Sequence, residues 1–242
     1  MPVSGFELVL PFYNEAAGAE QTVTALAAAC AAANVDWHLV LVDNGSRDAT
    51  GELLARLAAA EPRLRVVTVP VNRGYGHGIR ADLATCTAPA VGYLDGDGQV
   101  PPDDVLRVYR ALVAGGADLA RARRISRGDT WQRRWVSWVF NLLFRWLFGI
   151  EALDVNAKPK FMRGELLPAL ALAADDWFID TELLIKAARL GLRSVTVDIE
   201  FITRPAGRSH VRLATIREFV GNLIRYRCGG PLRAWEEQRR CK

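Results

Sequence analysis

Cysteine is scarce and scattered in this chain. Cys30, Cys86, Cys228 and Cys241 stand apart, with no Cys-x-x-Cys pair and only three histidines overall. That pattern excludes a zinc ribbon and a disulfide framework, and it suits reduced thiols in a cytosolic compartment. No run of about 20 predominantly apolar residues occurs, so no membrane-spanning helix is predicted. No secretory leader is predicted either, since residues 1–5 lack a basic region and the apolar run after them is short. Internal repeats and low-complexity linkers are missing as well. What remains is a globular composition, 50% hydrophobic and 24% charged over 242 residues. That length suits one large α/β domain.

The net charge of +4 hides a division. Residues 1–120 hold eight basic and 14 acidic side chains, whereas residues 121–242 hold 23 basic and 13 acidic. A basic half joined to an acidic half predicts a polyanionic partner for the basic one. Nucleic acid, a phosphorylated substrate and an anionic bilayer surface all meet that description. No groove-reading module or aromatic-lined RNA motif is present, which argues against nucleic acid.

The first 120 residues alternate between apolar strands and helices. Strands are predicted over 6–12, 37–43, 64–69 and 90–95, and helices over 15–33, 49–60, 76–85 and 102–115. Such alternation predicts a mostly parallel sheet covered by helices, with ligands outside the carboxyl ends of its strands. Three of those ends carry acids and turn formers: Tyr13-Asn14-Glu15, Asp43-Asn44-Gly45-Ser46 and Asp95-Gly96-Asp97. Helix capping is the plain alternative for Asp43 and Asp95. It accounts for one member of the Asp95/Asp97 pair at most.

Beyond residue 120 the pattern changes. Residues 133–150 read RRWVSWVFNLLFRWLFGI, with polar residues confined to one stripe at Arg134, Ser137, Asn141 and Arg145. Trp131, Trp135, Trp138 and Trp146 fall in or beside this helix. A helix so apolar is either packed in a core or lies in a membrane interface, and its tryptophan and arginine edge favours the interface. Residues 211–242 repeat the theme, with Ile216, Phe219, Val220, Leu223 and Ile224 on one face and Arg217, Arg225 and Arg227 around it.

The segment 92–102, GYLDGDGQVPP, carries the chemistry. Asp95 and Asp97 on a glycine-rich turn can aim at one point, and no basic residue stands in the segment. Like charges so placed are costly until a cation arrives. Mg2+ takes one or two carboxylates plus phosphate oxygens, and Gln99 can add an amide oxygen. The turn therefore reads as half of a metal–diphosphate site.

Six blocks now make a family resemblance. LPFYNEA, LVDNGSRDAT, NRGYGHGIRADL, YLDGDGQVPPDD, VNAKPKFMRGELL and FIDTELLIKAARLGL, in that order over residues 6–210, resemble a family 2 glycosyltransferase of the GT-A fold. The branch resembled is the dolichol-phosphate mannosyltransferase/glucosyltransferase-like one. This implies an α/β GT-A domain over 1–210, with a mostly parallel central sheet and helices on both faces. A nucleotide-sugar half (about 1–120), an acceptor half (about 121–210) and a basic amphipathic helix and tail (211–242) follow from it. The implied donor is a GDP-mannose or UDP-glucose type of nucleotide sugar, the acceptor a dolichyl or undecaprenyl phosphate, and the cofactor Mg2+ or Mn2+. The resemblance further implies inversion at the anomeric carbon and a peripheral place on the cytoplasmic face of the membrane. It leaves room for a homo-oligomer or a membrane partner.

Residue by residue, the resemblance implies that Pro11, Tyr13 and Glu15 hold the nucleoside and Asp43 the base. Asp95 would lie near ribose, sugar and metal, a candidate third ligand beside Asp97 and Gln99. Arg124, Arg133 and Ser137, with Arg134 adjacent, would bind the acceptor phosphate through the paired donors that arginine offers. Arg204, Arg208 and His210 match a loop that helps hold the diphosphate, with His210 where the family has lysine. Gly74, Gly76 and Gly78 lack the dinucleotide spacing and read as sites of close backbone packing, and His77 as structural.

A phosphate monoester is ionised near neutrality, so it needs no general base. A hydroxyl acceptor would need one, and Asp176, Asp180 and Glu182 are the candidates. A non-catalytic lipid-surface scaffold is the remaining alternative, and the intact Asp95/Asp97/Gln99 turn speaks against it.

Overall fold

A computed structural model describes residues 5–125, 131–151, 154–202 and 213–240, with 131–137 and 213–220 described by backbone alone. The first half alternates as expected: β1 (Phe6–Phe12), α1 (Ala19–Ala32), β2 (Trp37–Asn44), α2 (Thr50–Ala60), β3 (Leu64–Val69), α3 (Tyr75–Leu83), β4 (Ala90–Tyr93) and α4 (Pro102–Ala114). The second half adds β5 (Leu119–Arg124), α5 (Trp131–Phe148), β6 (Lys160–Arg163), α6 (Leu167–Leu170), α7 (Ile179–Arg189), β7 (Ser194–Ile199), α8 (Leu213–Cys228) and α9 (Gly230–Arg240).

The seven strands of the described residues join one sheet in the order β3-β2-β1-β4-β6-β5-β7. Every pairing is parallel except those of β6, which runs antiparallel to β4 and β5. The expected mostly parallel α/β sheet is present. The chain turns outward in both directions from β1 and β4, so the β1/β4 boundary is the switch point at which such sheets open a crevice.

Each face of the sheet has its own core. Leu8, Leu10, Phe12, Leu39, Leu41 and Phe161 pack under α1, α2 and α4. Val9, Val40, Val42, Tyr93 and Met162 pack under α3, α5, α7, α8 and α9. Strand residues alternate between the two faces, and a strand covered on both sides reads as continuous apolar sequence. The buried thiols of Cys30 and Cys86 belong to these cores, and burial pushes both up to about 12. Neither they nor Cys228 form a disulfide among the described residues.

The apolar helix α5 divides its sides. Phe140 and Phe144 are buried, whereas Trp138, Leu142 and Trp146, each four residues apart, are 60%, 41% and 79% exposed. Asn141, part of the polar stripe, is turned to the protein, where its Oδ1 accepts from the Val155 amide at 3.3 Å. The C-terminal segment forms two helices rather than one. A side chain at Gly229 would meet the Arg225 carbonyl at 2.3 Å, and Pro231 follows, so the chain restarts as α9. Leu223, Tyr226, Leu232 and Trp235 anchor both helices in the second core. Trp235 also donates to the Ala169 carbonyl at 3.1 Å.

Candidate active site

The sheet order makes neighbours of the three acidic strand ends, those of β2, β1 and β4. Pro11 lies on β1, and Tyr13 and Glu15 follow it; the Glu15 amide donates to Thr50 Oγ1 at 3.0 Å. Asn14 cross-links two of the ends, donating from its amide to Ser46 Oγ at 3.1 Å and accepting from the Arg47 amide at 2.8 Å. Asp43 is 8% exposed and accepts the Ser46 amide at 3.0 Å, which closes the turn after β2. Neither Asp43 nor Asp95 caps the helix that follows it: those caps are Ala49 and Pro101.

Gly98 takes φ +68°, a conformation open to glycine, and so lets the turn after β4 fold back. Asp97 accepts the Gln99 amide at 3.2 Å. Gln99 in turn holds Ile202, donating through Nε2 to its carbonyl at 3.1 Å and accepting its amide at 2.9 Å. The turn after β4 is thereby tied to the strand exit after β7. Arg204, Arg208 and His210 lie outside the described residues.

Asp95 has the basic partner that its own segment lacks. Its Oδ1 accepts the Tyr75 hydroxyl, and its Oδ2 lies 3.2 Å from Lys158 Nζ. Lys158 is also 3.3 Å from Asp180 Oδ2, and it sits over the rings of Tyr75 (4.4 Å) and Trp177 (5.0 Å), themselves stacked at 4.2 Å. Asp180 is completely buried, salt-bridged to Lys160 and bonded by the Tyr93 hydroxyl at 2.8 Å. A continuous chain of polar contacts thus runs from Asp95 through the sheet to α7. Sequence reasoning gave Lys158, Lys160, Tyr75 and Trp177 no role. The available signal was two lysines two residues apart, Lys158 just before β6 and Lys160 opening it.

Burial alone would raise Asp180, but Lys158 and Lys160 hold it below the usual carboxylate range. Burial would likewise lower Lys158, but Asp180 and Asp95 outweigh that and raise it. For Lys160 burial wins and brings the ammonium down to about 8. Burial, then the Asp95 and Asp180 charges, holds the Tyr75 hydroxyl protonated well above the usual tyrosine range.

The loop before α7 lies against α3. A side chain at Gly76 would meet the Ala174 carbonyl at 2.4 Å, so the glycine is there for close packing. The His77 amide donates to the Asp175 carbonyl at 2.9 Å, and Arg80 pairs with Asp175. Asp176 accepts the Phe178 amide at 2.8 Å and Asn222 Nδ2 at 2.6 Å. Glu182 accepts the amides of Ala173 and Ala174 at 2.9 and 2.8 Å and pairs with Lys186 at 2.8 Å.

Arg124 ends β5, two strands away from β4. Its guanidinium grips Asp154 at 2.5 and 2.8 Å and stacks over Phe201. Arg133, Arg134 and Ser137 fall in the first two turns of α5, in the part described by backbone alone.

The donor set suits a hard divalent cation. No cluster of three or more His, Cys, Asp or Glu converges among the described residues. A cation would therefore be held by one or two carboxylates of the Asp95/Asp97 turn and completed by phosphate oxygens, the coordination that Mg2+ favours.

Comparison with known proteins places this geometry. A glucosyl-3-phosphoglycerate synthase from Mycobacterium tuberculosis, solved with phosphoglyceric acid, superposes with TM-score 0.72 at 25% identity, covering 93% of this chain and 81% of its own. The same synthase solved with Mn2+, UDP and phosphoglyceric acid gives TM-score 0.72 at 25% identity, with 93% and 79% covered. Two relatives bear the name undecaprenyl-phosphate 4-deoxy-4-formamido-L-arabinose transferase. That of Pseudomonas fluorescens is 33% identical over 96% of this chain and 67% of its own length; that of Aeromonas hydrophila is 27% identical over 93% and 68%. Residues 7–166 match the family described as Glycosyl transferase family 2. With a GT-A sheet, acids at its switch point and that match over most of the chain, this protein belongs to glycosyl transferase family 2.

Proposed function

We propose that this glycosyltransferase moves a hexose-type sugar from a nucleotide diphosphate donor to a polyprenyl phosphate of the undecaprenyl class, with inversion, at the cytoplasmic surface of a membrane. The observation that carries the acceptor is the outward stripe Trp138, Leu142 and Trp146 on α5. The same helix bears Arg133, Arg134 and Ser137 in its first turns, so one element offers both an apolar face to lipid and donors to a phosphate. The names of the undecaprenyl-phosphate relatives support the same reading. No described helix is long and apolar enough to cross a membrane.

In this reading Pro11, Tyr13, Glu15 and Asp43 receive the nucleoside, and Asp95 orients the sugar. Asp97, with Gln99 and Asp95, would hold Mg2+ or Mn2+, which when bound would supply positive charge against the diphosphate leaving group. An acceptor phosphate oxygen attacks the anomeric carbon from the face opposite the diphosphate. The C–O bond to the diphosphate breaks, and its electron pair leaves with that group. No proton has to move at the nucleophile.

The hydroxyl-acceptor alternative draws support from the likeness to glucosyl-3-phosphoglycerate synthase. It needs a general base, and all three candidates are engaged: Asp180 is fully buried among two lysines and Tyr93, both oxygens of Asp176 accept hydrogen bonds, and Glu182 accepts two backbone amides and pairs with Lys186. The deciding experiment incubates the protein with Mn2+, a short-chain polyprenyl phosphate and a panel of nucleotide sugars, with product identified by mass. A lipid-phosphate monosaccharide whose formation fails in Arg133→Ala is expected. Turnover onto a free alcohol that survives Arg124→Ala and Arg133→Ala but fails in Asp176→Asn would replace this reading with the alternative.

A further inference from the structure

Lys158 holds a position that the chemistry above does not use. Its side chain is 4% exposed, yet it leads directly to Asp95, whose side chain is 29% exposed at the mouth of the sheet. A buried ammonium needs a carboxylate, but Asp180 is already paired with the ammonium of Lys160. Lys158 therefore brings a second positive charge to Asp180 and extends it to Asp95. Counting Asp95, Asp97 and Asp180 against Lys158 and Lys160, the group carries one net negative charge, and without Lys158 it would carry two. The stacked rings of Tyr75 and Trp177 flank the ammonium, and the Tyr75 hydroxyl takes the other oxygen of Asp95. Both oxygens of that acid are thus oriented by groups fixed in the fold.

We propose that Lys158 is a positioning residue of the donor site, which aims Asp95 and weakens the site's hold on a bare divalent cation, so that cation and nucleoside diphosphate bind cooperatively. This rests on the donor-site reading of Asp95 and Asp97. A unit charge a few ångströms from the cation opposes its binding, and the same charge favours an incoming diphosphate. Removing it therefore tightens the cation alone and loosens the coupling between the two ligands. In water-like screening such a charge is worth about tenfold in affinity, and more where the site is dry.

The test is Mn2+ uptake by the full chain, read from the electron paramagnetic resonance of free Mn2+, with and without UDP or GDP. Lys158→Met and Lys158→Gln are expected to bind Mn2+ alone about tenfold more tightly than wild type, with the enhancement by nucleotide reduced by a similar factor. Lys158→Arg, which keeps the charge, is expected to behave as wild type in both measurements. Asp180→Asn removes one of the two anions sharing the ammonium, and it is expected to weaken Mn2+ alone. This second variant reads the same charge with opposite sign if the neutral Lys158 variants do not fold. Neutral variants whose Mn2+ affinity is unchanged or lower overturn the proposal, and so does an Asp180→Asn protein that binds Mn2+ as wild type does. A wild-type protein that takes up no Mn2+ even with nucleotide removes the donor-site reading, and the proposal with it. Uptake by wild type without a response in the variants removes the proposal alone.

Discussion

The two halves of this enzyme treat charge in opposite ways. In the first half the acids stand at strand ends, where Asp43 and Asp97 accept backbone amides within their own turns. In the second half the sheet carries charge inside itself: Arg124 pairs with Asp154, and Lys158 and Lys160 with Asp180, while Arg123 pairs with Asp198 at the surface. The basic surplus read from the sequence therefore has two destinations. Cations on or beside β5 and β6 neutralise the protein's own carboxylates. Those on the outer helices, Arg145, Arg225, Arg227, Arg233 and Arg239, are exposed. Only the second group is available to an anionic surface, because a cation already paired and desolvated gains little by exchanging its partner. Net charge by itself does not distinguish these uses.

The comparison is broken most severely at the turn after β4. Asp97→Asn is expected to lower turnover about a thousandfold or more and to abolish Mn2+ uptake, with the melting temperature nearly unchanged. In the second half the same kind of change should read out in stability. Glu182 is 2% exposed and serves two amides and Lys186, so Glu182→Ala is expected to cost about 3–5 kcal/mol in urea denaturation by stranding a buried cation. A milder test uses pH. Burial brings Lys160 in the folded protein to about 8, below its ordinary value of 10.5. Between those values the unfolded chain binds more protons, so this residue's contribution to stability rises with pH, by at most about 1.4 kcal/mol per unit. Below about pH 8 it contributes a constant cost. The melting temperature of wild type should therefore gain on that of Lys160→Met from pH 8 to 10, and a flat or falling difference would contradict the assignment. Smallest in stability is the paired change Trp138→Ser and Trp146→Ser. It should shift folding by no more than about 0.5 kcal/mol for each exposed site. Flotation with anionic vesicles should nevertheless fall severalfold, which isolates the outer face of α5 from the core it covers.

Legibility followed the same division. From β1 to α4 the elements could be placed to within a few residues, because parallel strands buried on both faces are written as unbroken apolar runs such as LVLPF and HLVLVD. The helix expected from residue 15 begins at Ala19, since Glu15 closes a turn by accepting the amides of Gly18 and Ala19. In the second half β5 reads LARARR and β6 reads KFMR, and neither resembles a buried strand. The charges of Arg124 and Lys160 are internal only because Asp154 and Asp180 arrive from other segments. Of the candidate site, the acids at the strand ends were legible as a pattern of strand followed by turn. Lys158 and its aromatic flank were not, since Asp95 and Lys158 are 63 residues apart and meet only across the sheet.

Local sequence alone determined the alternation of the first half, the Asp95-Gly96-Asp97-Gly98-Gln99 turn, and a helix too apolar to be solvated all round. These depend on side-chain period and backbone freedom within a few residues, which the chain states directly. Tertiary structure decided which charges face the cleft and which cancel inside the sheet, that β6 enters antiparallel beside β4, and which side of α5 remains open. Those outcomes depend on which distant segments become neighbours, and a buried charge is stable only where its partner arrives.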